Sequence, residues 1–206
     1  MRVLVIAGDY YHPAGVIEEG LRLLEGSEFT FAMTETERDF SDFDVVMLCK
    51  SDRVSAENAQ EFMKGDFTKR LIRFVENGGG LLAAHAGTTA AKNNPELEAL
   101  IGCCFDHHPA QCPVRYQPIG KKNLTEESVG FEETDEHYFL NMSAEDAEIF
   151  LTSQSENGTQ PAGYTRSVQK GRVAVLTPGH NVPVWVHPQM QMLLKRTLEW
   201  CAGGKA

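Results

Sequence analysis

Residues 78–89 constrain the fold of this chain more than any other stretch: three glycines, four apolar residues, a histidine and then small residues. The glycines are typical of a helix end, and residues 81–84 of a short buried strand. His85 stands where this strand ends, and the small residues after it permit a tight turn, as in a nucleophile elbow. Because the elbow holds an imidazole where a Ser or Cys would be expected, the sequence predicts proton transfer or metal ligation rather than acyl transfer.

Apolar runs alternate with helical patterns through the first half of the chain. We expect strands at residues 2–7, 28–33, 44–48 and 81–84, and helices at 13–25, 67–76 and 94–101. This alternation predicts right-handed β-α-β units on a parallel sheet. In the second half we expect strands at 113–119, 147–152, 163–167 and 171–176, a loop at 121–133 and a closing helix at 188–201. The predicted architecture is α/β, with a single domain spanning residues 1–206.

Composition and charge exclude several classes of protein. The formal net charge of −10 argues against a nucleic-acid partner, which would require clustered Lys and Arg. No apolar stretch reaches 18 residues, so no membrane partner is expected. The apolar run at residues 1–8 is too short for a signal peptide and reads better as a core strand, which predicts a cytoplasmic location. An odd number of cysteines, 5, does not suggest a disulfide framework.

Histidines follow two of the predicted strands. His85 ends the strand at 81–84, and His180 follows 173–177 after a Pro-Gly turn. Because the carboxyl ends of parallel strands meet at one edge of the sheet, the two imidazoles could converge on one site. A hydrogen-bonded core histidine at the first position and a helix-capping loop histidine at the second are the structural alternatives.

Two polar segments add further candidates. In an extended chain, Asp135 and His137 would face one way and Glu136 and Tyr138 the other, although the segment could also be a solvated turn. The loop after the first strand carries Asp9 and His12, which could bind sugar hydroxyls or simply cap the first helix. It lacks the spacing of a glycine-rich phosphate loop, so no nucleotide cofactor is expected.

The region between residues 103 and 112 is rich in Cys and His and could bind zinc, but its spacing matches no closed zinc finger. Arg166 and Trp185 are further residues that could line a cleft.

Several short motifs, taken in order, match one family. They lie at residues 3–8, 44–48, 78–86, 102–107, 135–138, 171–173, 178–180, 185 and 198–200. Through them the chain resembles the ThuA-like family of trehalose utilisation, in the class I glutamine amidotransferase-like superfamily. The resemblance implies a flavodoxin-like three-layer sandwich with a mostly parallel central sheet. It also implies that His85 replaces the amidotransferase cysteine, which removes the basis for glutaminase chemistry.

The resemblance further implies carbohydrate metabolism, with trehalose, a related disaccharide or a 3-keto-glycoside as the small-molecule substrate. This hypothesis describes an enzyme of lyase or hydrolase type, in which His85 or His180 removes the C2 proton and Glu136 acts as the acid at C1. One divalent ion of the zinc or manganese class, held by His85, His107 and His180, would stabilise the enolate, and His108 could substitute for His107. The expected substrate-binding residues are Asp9, His12, His107, Asp135, Tyr138 and Arg166.

A non-catalytic sugar-binding or assembly module on the same fold remains open, because a fold does not fix a function. Convergence of His85, His180 and Glu136 on one point would favour the enzyme. A cysteine-based hydrolase or amidotransferase is disfavoured, since the cysteines at 103, 104 and 112 lie outside any elbow pattern. The closing helix and its neighbours are compatible with a homodimer.

Overall fold

The computed structural model describes residues 1–34, 39–120 and 122–203. The strands are β1 Arg2–Ile6, β2 Glu28–Ala32, β3 Val45–Leu48, β4 Gly80–Ala84, β5 Cys103–His107, β6 Cys112–Pro118, β7 Phe131–Asp135, β8 Phe139–Met142, β9 Glu148–Ser155, β10 Gly158–Val168 and β11 Gly171–Leu176. The α-helices are α1 Ala14–Leu21, α2 Asp66–Glu76, α3 Pro95–Ile101, α4 Lys122–Thr125, α5 Val182–Val186 and α6 Pro188–Cys201. Short 3₁₀ helices span Phe40–Asp42 and His85–Ala91. No helix in these ranges is both long and apolar enough to cross a membrane.

A single large sheet organises the fold. Its nine strands follow the order β2-β1-β3-β4-β11-β10-β9-β6-β7, and β5 pairs with β8 in a separate ribbon. The strands from β2 to β11 in this order are parallel neighbours, whereas each pair from β11 to β7 is antiparallel. It follows that β10 and β6 run one way and the other strands of the sheet run the opposite way. The carboxyl ends of β1, β4, β7 and β11 therefore point towards the same edge of the sheet.

The parallel strands are buried on both faces, which explains their continuous apolar runs. In β1, Val3 and Val5 pack in one core with α1, α5 and α6, whereas Leu4 and Ile6 pack in a second core with α2 and α3. Helices thus cover both faces of the sheet. The predicted three-layer α/β sandwich with a mostly parallel sheet is confirmed.

The prediction of a loop at 121–133 is wrong for most of its length. Residue 121 lies outside the described residues, but α4 and β7 occupy much of the remainder. Two apolar side chains, Leu124 and Phe131, are buried in the core and anchor this polar stretch. The ribbon of β5 and β8 was also not predicted, because neither strand shows a clear apolar alternation.

The packing of α1 against α5 depends on Gly20. A Cβ atom at this position would lie 2.7 Å from Trp185 Cβ and 3.3 Å from the Trp185 carbonyl oxygen. Gly15, in the same helix, has nothing within 4 Å of the corresponding point.

We therefore predict that Gly20→Ala lowers the free energy of unfolding by about 1–3 kcal/mol, because an overpacked interface must shift. Gly15→Ala is the matched control and should raise that energy by up to about 1 kcal/mol, through helix propensity. Urea denaturation measures both changes. Equal effects of the two substitutions would contradict the close packing of these helices.

Candidate functional site

Four side chains with metal-ligating atoms meet at the carboxyl edge of the sheet. His85 and Glu136 directly follow β4 and β7, whereas His12 and His180 lie on the loops after β1 and β11. One ligand atom from each lies within 4.8 Å of the others. These four residues are called the His-Glu cluster below. Their convergence follows from the common direction of the four strands.

The carboxylate of Glu136 is the centre of the cluster. Its Oε2 lies 3.2 Å from His180 Nδ1, 3.3 Å from His85 Nε2 and 3.9 Å from His12 Nε2. Its Oε1 lies 3.5 Å from Nε2 of His108. Burial alone would raise the pKa of Glu136, but the imidazoles that surround its carboxylate outweigh burial and hold this pKa far below its usual range. Glu136 therefore remains a carboxylate, which does not fit the predicted role of proton donor.

His85 is held in one orientation and one tautomer. Its backbone is left-handed (φ 44°), and Ala86 and Gly87 then turn away in the 3₁₀ helix. The ring Nδ1 lies 2.8 Å from the carbonyl oxygen of Thr177, which can only accept, so Nδ1 carries the proton. Burial lowers the pKa of His85 despite its acidic neighbours. The result is a neutral imidazole with the lone pair of Nε2 directed into the cluster.

His12 is oriented by Asp9. The Asp9 carboxylate lies 3.1 Å from His12 Nδ1, and it also accepts the backbone N–H groups of Tyr11, His12 and Ser51 and the Ser51 hydroxyl. Burial lowers the pKa of His12, but the nearby carboxylates of Asp9 and Glu136 raise it more, to about 9. Asp9, a predicted substrate-binding residue, is buried, and its carboxylate is bound by protein groups and positions His12.

Asp135 is the second buried carboxylate behind the cluster. It accepts the N–H groups of Gly179 and His180, each at 2.9 Å, together with the N–H of Glu136 and the hydroxyl of Tyr116. The alternation predicted for residues 135–138 matches this arrangement: Asp135 and His137 are fully buried, and Glu136 and Tyr138 line the site. Asp135, also a predicted substrate-binding residue, therefore positions two residues of the cluster from a fully buried place.

Two nitrogen atoms of the cluster lack hydrogen bonds. His85 Nε2 and His180 Nδ1 are both buried, and neither makes a hydrogen bond within the part of the chain that the structure describes. Buried polar atoms are normally satisfied, so unpartnered atoms directed at one point indicate a ligand. Imidazole and carboxylate donors are suited to zinc and similar divalent ions.

A cavity of about 420 Å³ lies beside the cluster. Glu136 and His12 are the two cluster residues that line it, and the neighbouring rings of Tyr138 and Phe105 line it as well, with His108 beside them. The Tyr138 ring also stacks on His85, at a centroid distance of 4.1 Å. Aromatic faces next to polar groups are suited to a small molecule with both apolar and hydrogen-bonding surfaces, such as a sugar.

The structure places two predicted site residues elsewhere. His107 is exposed and pairs with Asp106, whereas its neighbour His108 faces Glu136. A register shift in β5 between Phe105 and His107 changes which side chain faces the cavity. Arg166 binds Asp146 and the carbonyl oxygens of Ala99 and Leu100. It pairs with Val173 near the start of β11, at the opposite edge of the sheet.

His12 was not expected to be a possible metal ligand. His12 follows the first parallel strand, just as His85 and His180 follow two others. That position could have indicated that it lies at the same edge of the sheet.

Comparison with known proteins shows the family of this chain. The family model for trehalose utilisation, ThuA, matches residues 2–201. The chain belongs to the ThuA family. The family description gives it a carbohydrate-related role in the broad sense. Among curated proteins, none matches the sequence.

Several solved structures have a similar fold. A ThuA-like protein of Parabacteroides merdae is 19% identical, with a TM-score of 0.81 over 100% of this chain and 91% of that chain. A ThuA-like protein of Bacteroides uniformis is 17% identical, with a TM-score of 0.74 over 98% and 91% of the two chains. A protein of Salmonella typhimurium LT2 described as cytoplasmic is 14% identical, with a TM-score of 0.66 over 98% of each. At these identities the likeness concerns the fold alone.

Asp135→Asn tests how the site is positioned. The new NH₂ group would face backbone donors, so we expect the free energy of unfolding to fall by about 3 kcal/mol, the scale of losing buried charge-assisted hydrogen bonds. Asp146→Asn is the control on an exposed carboxylate and should change this energy by less than about 0.5 kcal/mol. Chemical denaturation provides both values, and an Asp135→Asn variant as stable as the control would refute the role of Asp135.

Proposed function

We propose that this chain is an enzyme that catalyses proton transfer on a keto-sugar, with one divalent ion held by the His-Glu cluster. The observation that carries the proposal is the pair of buried, unpartnered nitrogens of His85 and His180 directed at the Glu136 carboxylate. The convergence of these three residues favours the enzyme over the non-catalytic sugar-binding module.

The donor set fits a small divalent ion. Zinc binds imidazole nitrogen at about 2.0–2.1 Å, so neighbouring ligands in a tetrahedral site lie roughly 3.4 Å apart. The distances from Glu136 Oε2 to the three imidazole nitrogens, 3.2, 3.3 and 3.9 Å, are close to this value. Asp9 and the Thr177 carbonyl bind the far nitrogens of His12 and His85, as outer partners of metal-bound histidines commonly do.

The bound ion would act as a Lewis acid that polarises the ketone and a neighbouring hydroxyl. His108 is the candidate base, because its ring is half-exposed to the cavity and its Nε2 lies 3.5 Å from Glu136 Oε1. It would take the proton from the carbon next to the ketone while the C–H electron pair enters the enolate. Glu136 would stabilise the resulting imidazolium. The role of base passes from His85 and His180 to His108, since the proposal makes His85 and His180 ligands of the ion.

The proposed substrate is trehalose or a related disaccharide in its 3-keto form. The family description, trehalose utilisation, supports a disaccharide. A ketone at C3 makes the proton on the adjacent carbon acidic, which the proposed proton abstraction requires. The proposed location is the cytoplasm, which the description of the Salmonella neighbour supports.

The metal site can be tested by the metal content of the purified protein. We expect about one zinc or manganese ion per chain after reconstitution and dialysis. His85→Ala or His180→Ala should weaken metal binding by roughly 10–100-fold or more, because the loss of an outer-sphere partner alone costs that much. His107→Ala removes an exposed histidine outside the cluster and should leave the metal content unchanged. A wild-type protein that binds no ion would overturn the proposal.

The reaction can be followed by proton NMR in D₂O with the 3-keto form of trehalose. We expect the C2 proton signal to disappear in the presence of enzyme and metal, and to persist with a chelator. His108→Asn should slow the exchange by roughly 10²–10⁴-fold, the usual contribution of a general base.

His107→Asn serves as the control and should exchange at the wild-type rate. Exchange that continues at full rate in the presence of the chelator, or in His108→Asn, would show that the assigned roles are wrong.

A further inference from the structure

We infer that the substrate of this site carries an anionic group, which Arg53 and Lys92 bind at the rim of the cavity. This inference rests on the proposed function for the keto-sugar portion of the substrate, and it favours a related disaccharide that carries an anionic group over trehalose, which is neutral. It follows from three features of the cavity: its unpaired cations, its scarcity of acids and the anchoring of Arg53.

Both cations line the same cavity as Glu136, His108 and Tyr138. Across the described residues, no carboxylate oxygen lies within salt-bridge distance of either one. Lys92 Nζ reaches only the backbone oxygen of Asp106, at 3.5 Å, and lies over the Phe105 ring. The Asp106 carboxylate itself pairs with His107. Both cations are therefore available to a ligand.

The charge of the cavity contrasts with that of the whole chain. The formal net charge is −10, yet Glu136 is the one acidic residue among those lining the cavity. A divalent ion on the cluster would more than neutralise that carboxylate. A cavity with positive potential on an acidic protein concentrates anionic substrates relative to neutral ones.

Arg53 belongs to an irregular segment that is nevertheless anchored by hydrogen bonds. The buried Lys50 donates to the carbonyl oxygens of Met33 and Val54, at 2.7 and 2.9 Å. Asp52 accepts the N–H groups of Phe62 and Met63, each at 2.8 Å. These bonds fix the backbone on both sides of Arg53.

The same segment is tied to the His-Glu cluster. The backbone N–H and the hydroxyl of Ser51 both donate to Asp9, at 2.8 Å, and Asp9 also orients His12. Arg53 is thus held at a defined place relative to the cluster. Its guanidinium can bind a carboxylate or a phosphate through two parallel hydrogen bonds. The sugar ring would then lie against Tyr138 and Phe105.

Titration calorimetry with the metal-loaded protein tests this inference, using glucuronate, glucose 6-phosphate and glucose. We expect at least one of the anionic ligands to bind roughly ten-fold or more tightly than glucose, and to weaken as salt is added. Arg53→Gln and Lys92→Gln should each remove most of that preference. Arg22→Gln and Lys195→Gln make the same change in net charge at exposed positions and should retain it.

Binding of glucuronate alone identifies a carboxylate ligand, binding of glucose 6-phosphate alone a phosphate, and either result supports the inference. Glucose bound as tightly as the anions, no binding of any probe, or an anion preference that survives Arg53→Gln with Lys92→Gln would overturn it. The two proposals can fail separately. If the protein binds no metal but still prefers anions through Arg53, this inference is supported and the metal-dependent reaction is contradicted.

Discussion

The carboxylate of Asp135 joins two parts of the fold on which the candidate site depends. In the sheet, β7 is separated from β11 by three strands, so pairing alone does not bring their ends together. The sheet curves enough that Phe131 of β7 and Tyr116 of β6 share a core with Trp185 and the apolar face of α6. Asp135 closes this arrangement by binding the N–H groups of Gly179 and His180. Because Glu136 is the next residue, its distance from His180 is fixed by the same carboxylate.

The sequence could predict the residues whose positions depend on the parallel half of the sheet. His85 and His180 follow strands with unmistakable apolar runs, and the rule that parallel strands end at one edge brings them together. Glu136 was different, because most of β7, the strand that it follows, lies in a segment predicted as a loop, and its role came from the family resemblance. The alternation of residues 135–138 then correctly separated the buried pair from the pair that lines the cavity.

The remaining differences arise from long-range pairing that local patterns do not encode. Whether His107 or His108 faces the cavity depends on a register shift in β5, and one residue of shift exchanges the two faces of a strand. Arg166 was assigned to the site without knowledge of the direction of β10, which runs against its neighbours and carries this residue to the opposite edge. The carbonyl oxygens at the end of α3 bind its guanidinium there.

The cluster is preorganised by groups that do not face it. The carbonyl oxygen of Thr177 fixes the tautomer of His85, and Asp9 holds the far nitrogen of His12. In the absence of an ion, the raised pKa of His12 means that a proton balances part of the charge of Asp9 and Glu136 near neutral pH. A divalent ion would displace that proton, yet the hydrogen bond between His12 Nδ1 and Asp9 is available in both states. The orientation of the ligands is therefore set by the fold itself, and an ion would need to reorganise little more than the proton.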